Sequence, residues 1–248
     1  MNRWFGLSAS ISALALVSVF GCTPPAETDN SKTPMDGSNE SPKGETKDAA
    51  STNGGEGAQT DPKATTALPD KPKDGDDVAV LETSAGKIVV MFYPDKAPRH
   101  VENFKNLAKN GFYDGTRFHR CIPGFMIQGG DPLSKDLTKS AMWGTGGNMG
   151  PDKKEINVPA EFNDVRHKRG VLSMARSQSP DSASSQFFIM VQDNEGLDGQ
   201  YSAFGATVSG MDVADKIVAI GDAQNNGAVD PKKAFMLKSV KITKWPVK

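Results

Sequence analysis

Residues 118–131 read Phe118-His119-Arg120-Cys121-Ile122-Pro123-Gly124-Phe125-Met126-Ile127-Gln128-Gly129-Gly130-Asp131. Two β-prone runs are parted here by Pro-Gly, which interrupts a strand and turns the chain. Side chains alternate faces along an extended segment, so Met126 and Gln128 share a face. That parity cannot be carried back across Pro123-Gly124 to Arg120. A second pair of runs follows: Gly170-Val171-Leu172-Ser173-Met174-Ala175-Arg176, a polar loop, then Ser185-Gln186-Phe187-Phe188-Ile189, where Gln186 and Phe188 share a face. A third stretch is Leu197-Asp198-Gly199-Gln200-Tyr201, with Phe204-Gly205 after it.

The surrounding sequence fills in the remaining elements. Val78-Ala79-Val80-Leu81-Glu82-Thr83, a turn at Ser84-Ala85-Gly86, and the apolar run 87–93 predict a β-hairpin. A helix is expected over 97–109, with Pro98 in its first turn and Gly111 past its end. Val101, Phe104, Leu107 and Ala108 would form its apolar face. Further strands are expected over 117–128, 170–175, 185–191, 201–207 and 237–245, and a second helix over 211–220. Short strands joined by Gly- and Pro-rich loops, with two helices, predict a mainly β fold: a closed antiparallel barrel. Closure would explain why Phe187-Phe188-Ile189-Met190-Val191 is apolar on both faces.

Composition divides the 248 residues into three parts. Residues 1–21 read as a signal peptide: Arg3 is the only charge, and an apolar run follows from Leu7 to Phe20. Val19-Phe20-Gly21-Cys22 resembles a bacterial lipobox, with a bulky Phe20 where the pattern has a small residue. On that reading Cys22 is lipidated and anchors the chain through several acyl groups. An uncleaved span and a simple cleaved signal are the alternatives, and all three carry the rest of the chain out of the cytoplasm. Residues 22–77 contain no aromatic residue and carry a net charge of −6. Such a segment cannot bury enough apolar surface to offset its ordering entropy and is expected to be a disordered tether. Residues 78–248 hold fifteen of the eighteen aromatics and a charge of +4, enough for one compact domain. That mild charge excludes a nucleic-acid footprint. Two cysteines exclude a disulfide framework, and three histidines leave little for a metal cluster.

Taken together, FHRCIPGFMIQGGD, GVLSMAR with SSQFFIM, and LDGQYSAFG resemble the cyclophilin family of peptidyl-prolyl cis-trans isomerases. The order and spacing match across nearly all of 78–248, and Ala97-Pro98 with Val101-Glu102-Asn103-Phe104 matches as well. The resemblance implies an eight-stranded barrel capped by two helices, with a substrate groove on its outer surface. It implies Arg120 as the catalytic donor to the prolyl nitrogen. Phe125, Met126, Phe188 and Leu197 would form a socket for the proline ring. Gln128 and the backbone at Ala175 and Arg176 would hold the substrate chain, Gln186 would support that surface, and Tyr201 would close one side. Arg176 stands where well-known members carry Asn, Gly196 where many carry Trp, and Tyr201 where many carry His. An aromatic wall and its N–H donor would then be missing from the surface that binds cyclosporin-type inhibitors. The implied activity is isomerisation of X-Pro bonds in exported or envelope proteins, assisting their folding. It needs no metal or cofactor. The implied partners are proline-containing polypeptides and the membrane, not nucleic acid, and the chain is expected to be monomeric.

Other residues invite duller readings. Phe125, Met126 and Phe188 taken singly would be plain core. His119 and Cys121 lie two apart and could form a nucleophile pair, but Cys121 sits in an apolar run and reads as a small buried hydrophobe. His100 and His167 stand among charged residues and are expected at the surface. Gly144-Thr145-Gly146-Gly147 lacks the Lys-Ser/Thr of a phosphate loop, and the resemblance implies that it lies beside the groove. Residues 133–142 suggest a helical turn without an assigned role. A binding module that retains the groove, or a structural lipoprotein, would be the competing functions.

Overall fold

A computed structural model describes residues 71–248. The signal peptide, the lipobox at Cys22 and the tether up to residue 70 lie outside the described residues. Eight strands form one antiparallel sheet: β1 (Asp77–Thr83), β2 (Lys87–Phe92), β3 (Arg120–Ile122), β4 (Met126–Gly129), β5 (Val171–Met174), β6 (Phe187–Met190), β7 (Ala203–Ser209) and β8 (Leu237–Lys244). Their order is β3-β4-β6-β5-β7-β2-β1-β8. Pro123-Gly124 breaks the run 117–128 into β3 and β4, and Gly124 turns the chain at φ +74°. The two outermost strands, β3 and β8, do not pair along their length. Their seam is bridged just before each strand, where Arg117 faces Met236. The Phe118 N–H donates to the Phe235 carbonyl (3.0 Å), and the Leu237 N–H to Thr116 (2.7 Å). The expected closed barrel is therefore a curled sheet whose closure is approximate.

Two helices plug this sheet. α1 (Pro98–Lys109) starts on Pro98, which needs no partner for a missing N–H. It buries Val101, Phe104, Leu107 and Ala108. α2 (Met211–Val218) buries Val213, Ala214, Ile217 and Val218. Both faces join the barrel interior in one cluster with Ile88, Phe118, Ile127, Leu172 and Ile189. The Phe104 ring anchors it, with Tyr113, Phe187 and Phe204 at centroid distances of 4.9–5.5 Å. A second cluster covers the outer face: Val80, Met91, Val165, Val171, Met126, Phe188 and Met190. β6 lies between the two layers, which is why all four of its side chains are buried.

Two expectations need correction. Residues 71–77, assigned to the tether by composition, belong to the fold. Pro72 is buried, and Gly75 donates to the Trp245 carbonyl at 2.9 Å. Asp77 opens β1 and pairs with both Lys105 and Lys244. His100 and His167, expected at the surface, are 0% and 2% exposed. Each ring meets a carboxylate distant in sequence: His100 Nδ1 lies 2.6 Å from Glu161, and His167 Nδ1 3.2 Å from Asp198. Backbone N–H groups of the same two histidines donate to those carboxylates. Cys121 is buried, as read from the sequence; its thiol is free, and burial pushes it up to about 12.

Burial lowers the affinity of His100, His119 and His167 for a proton, against the pull of Glu161, Asp131 and Asp198 respectively. Above pH ~6.5 these rings are neutral in both folded and unfolded chains. Below it the unfolded chain takes up protons that the native rings refuse, so stability falls with pH. Thermal midpoints should therefore drop between pH 7 and pH 5, and His100→Gln should flatten that slope. An unchanged slope in the variant would contradict this assignment.

Candidate active site

The β3–β4–β6 ladder sets the site. Arg120 pairs with Gln128 across β3–β4, and Gln128 pairs with Phe188 across β4–β6. The ladder thus lines up a cation, an amide and an aromatic ring on one surface. The Pro-Gly turn delivers Phe125 beside them. Met126 and Phe188 are buried at 2% and 5% exposure, while Phe125, Leu197 and Tyr201 pack on them half-buried. Phe188 meets Tyr201 edge-on at 5.7 Å. The result is an apolar socket open on one side.

Arg120 stands at its edge, held by three acceptors. Nε donates to the Asn226 carbonyl (3.1 Å), Nη2 to Asn226 Oδ1 (2.6 Å) and Nη1 to Gln128 Oε1 (3.3 Å). Gln128 Nε2 in turn donates to Gln186 Oε1 (2.9 Å). Gln186 Nε2 donates to the carbonyls of Gly144 (3.0 Å) and Gly146 (2.7 Å). The chain of donors fixes both amides and sets the Gly-rich loop beside the groove, as the resemblance implied. Burial pulls the guanidinium affinity for a proton below its usual level, while Tyr201 pushes it back up. Arginine nevertheless stays charged at neutral pH.

The groove encloses about 570 Å³. Arg120, Phe125, Met126, Gln128, Ala175, Arg176, Phe188, Leu197 and Tyr201 all line it. Gln186 lies outside this lining and acts on it through Gln128. Arg176 has its guanidinium 4.6 Å from the Tyr201 ring centroid and donates to the Gln200, Ser177 and Gln178 carbonyls. The Arg176–Tyr201 stack is therefore a fixed rim.

Comparison with known proteins gives the family. The family described as cyclophilin type peptidyl-prolyl cis-trans isomerase/CLD matches residues 78–247. The chain belongs to the cyclophilin-type peptidyl-prolyl cis-trans isomerases. It is 44% identical over 163 residues to a probable peptidyl-prolyl cis-trans isomerase of Brucella abortus, covering 64% of this chain and 81% of that protein. It is 39% identical over 178 residues to peptidyl-prolyl cis-trans isomerase B of Escherichia coli, covering 67% and 99%. Among solved structures, a cyclophilin-type isomerase of Cryptosporidium parvum, crystallised in the presence of the dipeptide Ala-Pro, is similar with a TM-score of 0.56 and 28% identity. That match covers 67% of this chain and 99% of the other.

Sequence reasoning missed part of this cyclophilin groove. His119, Ser140, Trp143, Asn225, Asn226, Ala228 and Val229 also line it. Asn226 matters most, because it supplies two of the three acceptors for Arg120. It adopts a left-handed conformation (φ +50°), which Asn tolerates better than most residues. The adjoining Gly227 (φ +75°) lies so close to β3 that a Cβ there would meet the Cys121 carbonyl at 2.7 Å. Neither residue carries a signal at a distance, since Asn226 is 106 positions from Arg120.

Asn226 is a positioning residue on this geometry. Asn226→Ala is expected to lower kcat by about tenfold with little change in KM, since losing a hydrogen bond to a charged group costs ~1.5–3 kcal/mol. A loss confined to KM, or a matching loss of thermal stability, would point to a merely structural role.

Proposed function

We propose that this isomerase accelerates X-Pro rotation in exported or envelope proteins, assists their folding, and is held at the membrane through a lipid on Cys22. The clients are proline-containing polypeptides, and the chain works as a monomer on the outer side of the membrane that holds it. The leader Leu7 to Phe20 and the Gly21-Cys22 junction support export and anchoring. The charge-rich, aromatic-free stretch that follows suits a spacer of ~40 Å r.m.s. reach at ~5–6 Å × √n.

One observation carries the proposed mechanism: Arg120 is clamped at the edge of the socket formed by Phe125, Met126, Phe188 and Leu197. Amide resonance raises a barrier of ~18–20 kcal/mol to rotation. A catalyst must favour the twisted bond, in which the prolyl nitrogen has lost its resonance and gained a lone pair. The socket binds the proline ring by burying it. The Arg120 guanidinium then donates to the nitrogen as the lone pair appears, a contact stronger in the twisted state than in the planar one. Being already held by Asn226 and Gln128, it needs little reorganisation. Gln128 and the backbone at Ala175 and Arg176 hold the substrate chain. Tyr201 closes the socket, and Gln186 keeps Gln128 in place. No bond is made or broken, so neither nucleophile nor cofactor enters the cycle.

Arg120→Ala should reduce kcat/KM for a proline peptide by about 10²–10³-fold, the scale of losing one preorganised donor. Arg120→Lys should recover only part, lacking the planar fork that meets Asn226 and Gln128 together. Equal rates for wild type and Arg120→Ala would contradict the mechanism. For the anchor, metabolic acyl labelling should mark the wild-type chain and be lost in Cys22→Ser. Absence of label on the wild type would overturn the lipid reading.

A further inference from the structure

The groove does not stop at Arg120. Its lining continues into Ser140 and Trp143 on one segment, and into Ala228 and Val229 on another. The second segment lies on the free edge of β3, where Ala228 forms a bridge with Arg120. Val229 is 8% exposed and, like the half-buried Trp143, packs against the barrel core. These residues add an indole, an isopropyl group, a methyl group and the Ser140 hydroxyl to the lining. None of them is needed to hold a proline ring or to aim Arg120.

Trp143 is delivered by two consecutive 3₁₀ turns, Pro132–Lys135 and Leu137–Met142. These are built rather than loose. Asp131, wholly buried, accepts from the Leu133 N–H at 2.7 Å and from the Gly144 N–H at 2.5 Å, clamping both ends of the segment. Asp136 caps the second turn through the Thr138 N–H (2.9 Å), and its carbonyl accepts from the Trp143 indole N–H (3.2 Å). The Ser134 hydroxyl accepts from the Arg117 N–H at 2.8 Å and ties the turns to the barrel seam. The indole is held by its one polar atom, leaving its apolar body to line the groove. Next to it, Met142 is 52% exposed and Leu137 44%, two of the large apolar side chains left in solvent.

We propose that Trp143, with Ala228 and Val229, forms a second subsite that takes an apolar client side chain adjacent to the X-Pro pair, making Trp143 a specificity-determining residue. The occupant follows from continuity: Trp143, Ala228 and Val229 line the same groove as Arg120 and the socket residues, so a peptide seated in the socket extends along it toward them. Its mostly apolar side chains, Trp143, Ala228 and Val229, set the chemistry. The proposal rests on the isomerase reading of the groove and adds a selectivity to it.

The test uses the full-length chain and proline peptides in two series, varied from Gly to Leu to Phe in the position before the X-Pro pair or directly after it. The wild type is expected to favour Phe over Gly in one series by about tenfold in kcat/KM, within the range for an apolar contact. Trp143→Ala should bring that ratio close to one, and Trp143→Phe should keep most of it. A second readout is independent of turnover: with Trp4 and Trp245 replaced by Phe, the fluorescence of Trp143 should shift on adding the Phe-bearing peptide and not the Gly one. An unchanged ratio in Trp143→Ala, or a uniform loss against every peptide, overturns the subsite while leaving the isomerase reading intact. Failure of the wild type to accelerate any peptide would instead defeat the isomerase reading.

Discussion

A guanidinium stays at the edge of an apolar socket only if acceptors hold it there. Burial opposes its charge, and water would otherwise draw it away. Here two acceptors come from Asn226 and one from Gln128. Much of the remaining architecture supports that clamp. The β3–β4–β6 register places Gln128 between Arg120 and Phe188. Gln186 and the glycine carbonyls fix the rotamer of Gln128. The 225–229 turn is pressed onto β3 closely enough that glycine is needed at 227. Shifting β3 by one residue would turn Arg120 to the other face and dissolve the site.

Separate contacts accommodate the departures at 176, 196 and 201. Arg176 is not an idle substitution. Its guanidinium stacks on Tyr201 and is committed to three backbone carbonyls, so it builds a rim. Tyr201 in turn packs against Phe188 and near His167, whose ring is tied to Asp198 and Ser173. The missing aromatic at Gly196 leaves a capped 3₁₀ turn over 195–197 that still presents Leu197 to the socket. Meanwhile an aromatic ring reaches the groove from elsewhere, as Trp143.

What could be read from sequence was whatever local chemistry determines. Pro123-Gly124 separated two strands, Pro98 began a helix, and the apolar run 187–190 marked a strand buried on both faces. Nine of the ten residues expected at the site do line one groove, with Gln186 one hydrogen bond behind. The misses share a cause: their partners are distant in sequence. His100 and His167 look like surface residues until Glu161 and Asp198 arrive from 61 and 31 positions away. Asp77 belongs compositionally to the tether, yet it opens a strand because Lys105 and Lys244 compensate its charge. Asn226-Gly227 marks a turn in the sequence, but only the fold brings that turn to Arg120.

The central claim is that Arg120 catalyses from a fixed position and that Asn226 matters only by fixing it. A double-mutant cycle between the two tests this most directly, with kcat for a proline peptide as the readout. If Asn226 acts through Arg120, Asn226→Ala should cost almost nothing once Arg120 has become Ala. If the two losses simply add, the clamp is not what places the catalytic charge, and the account fails.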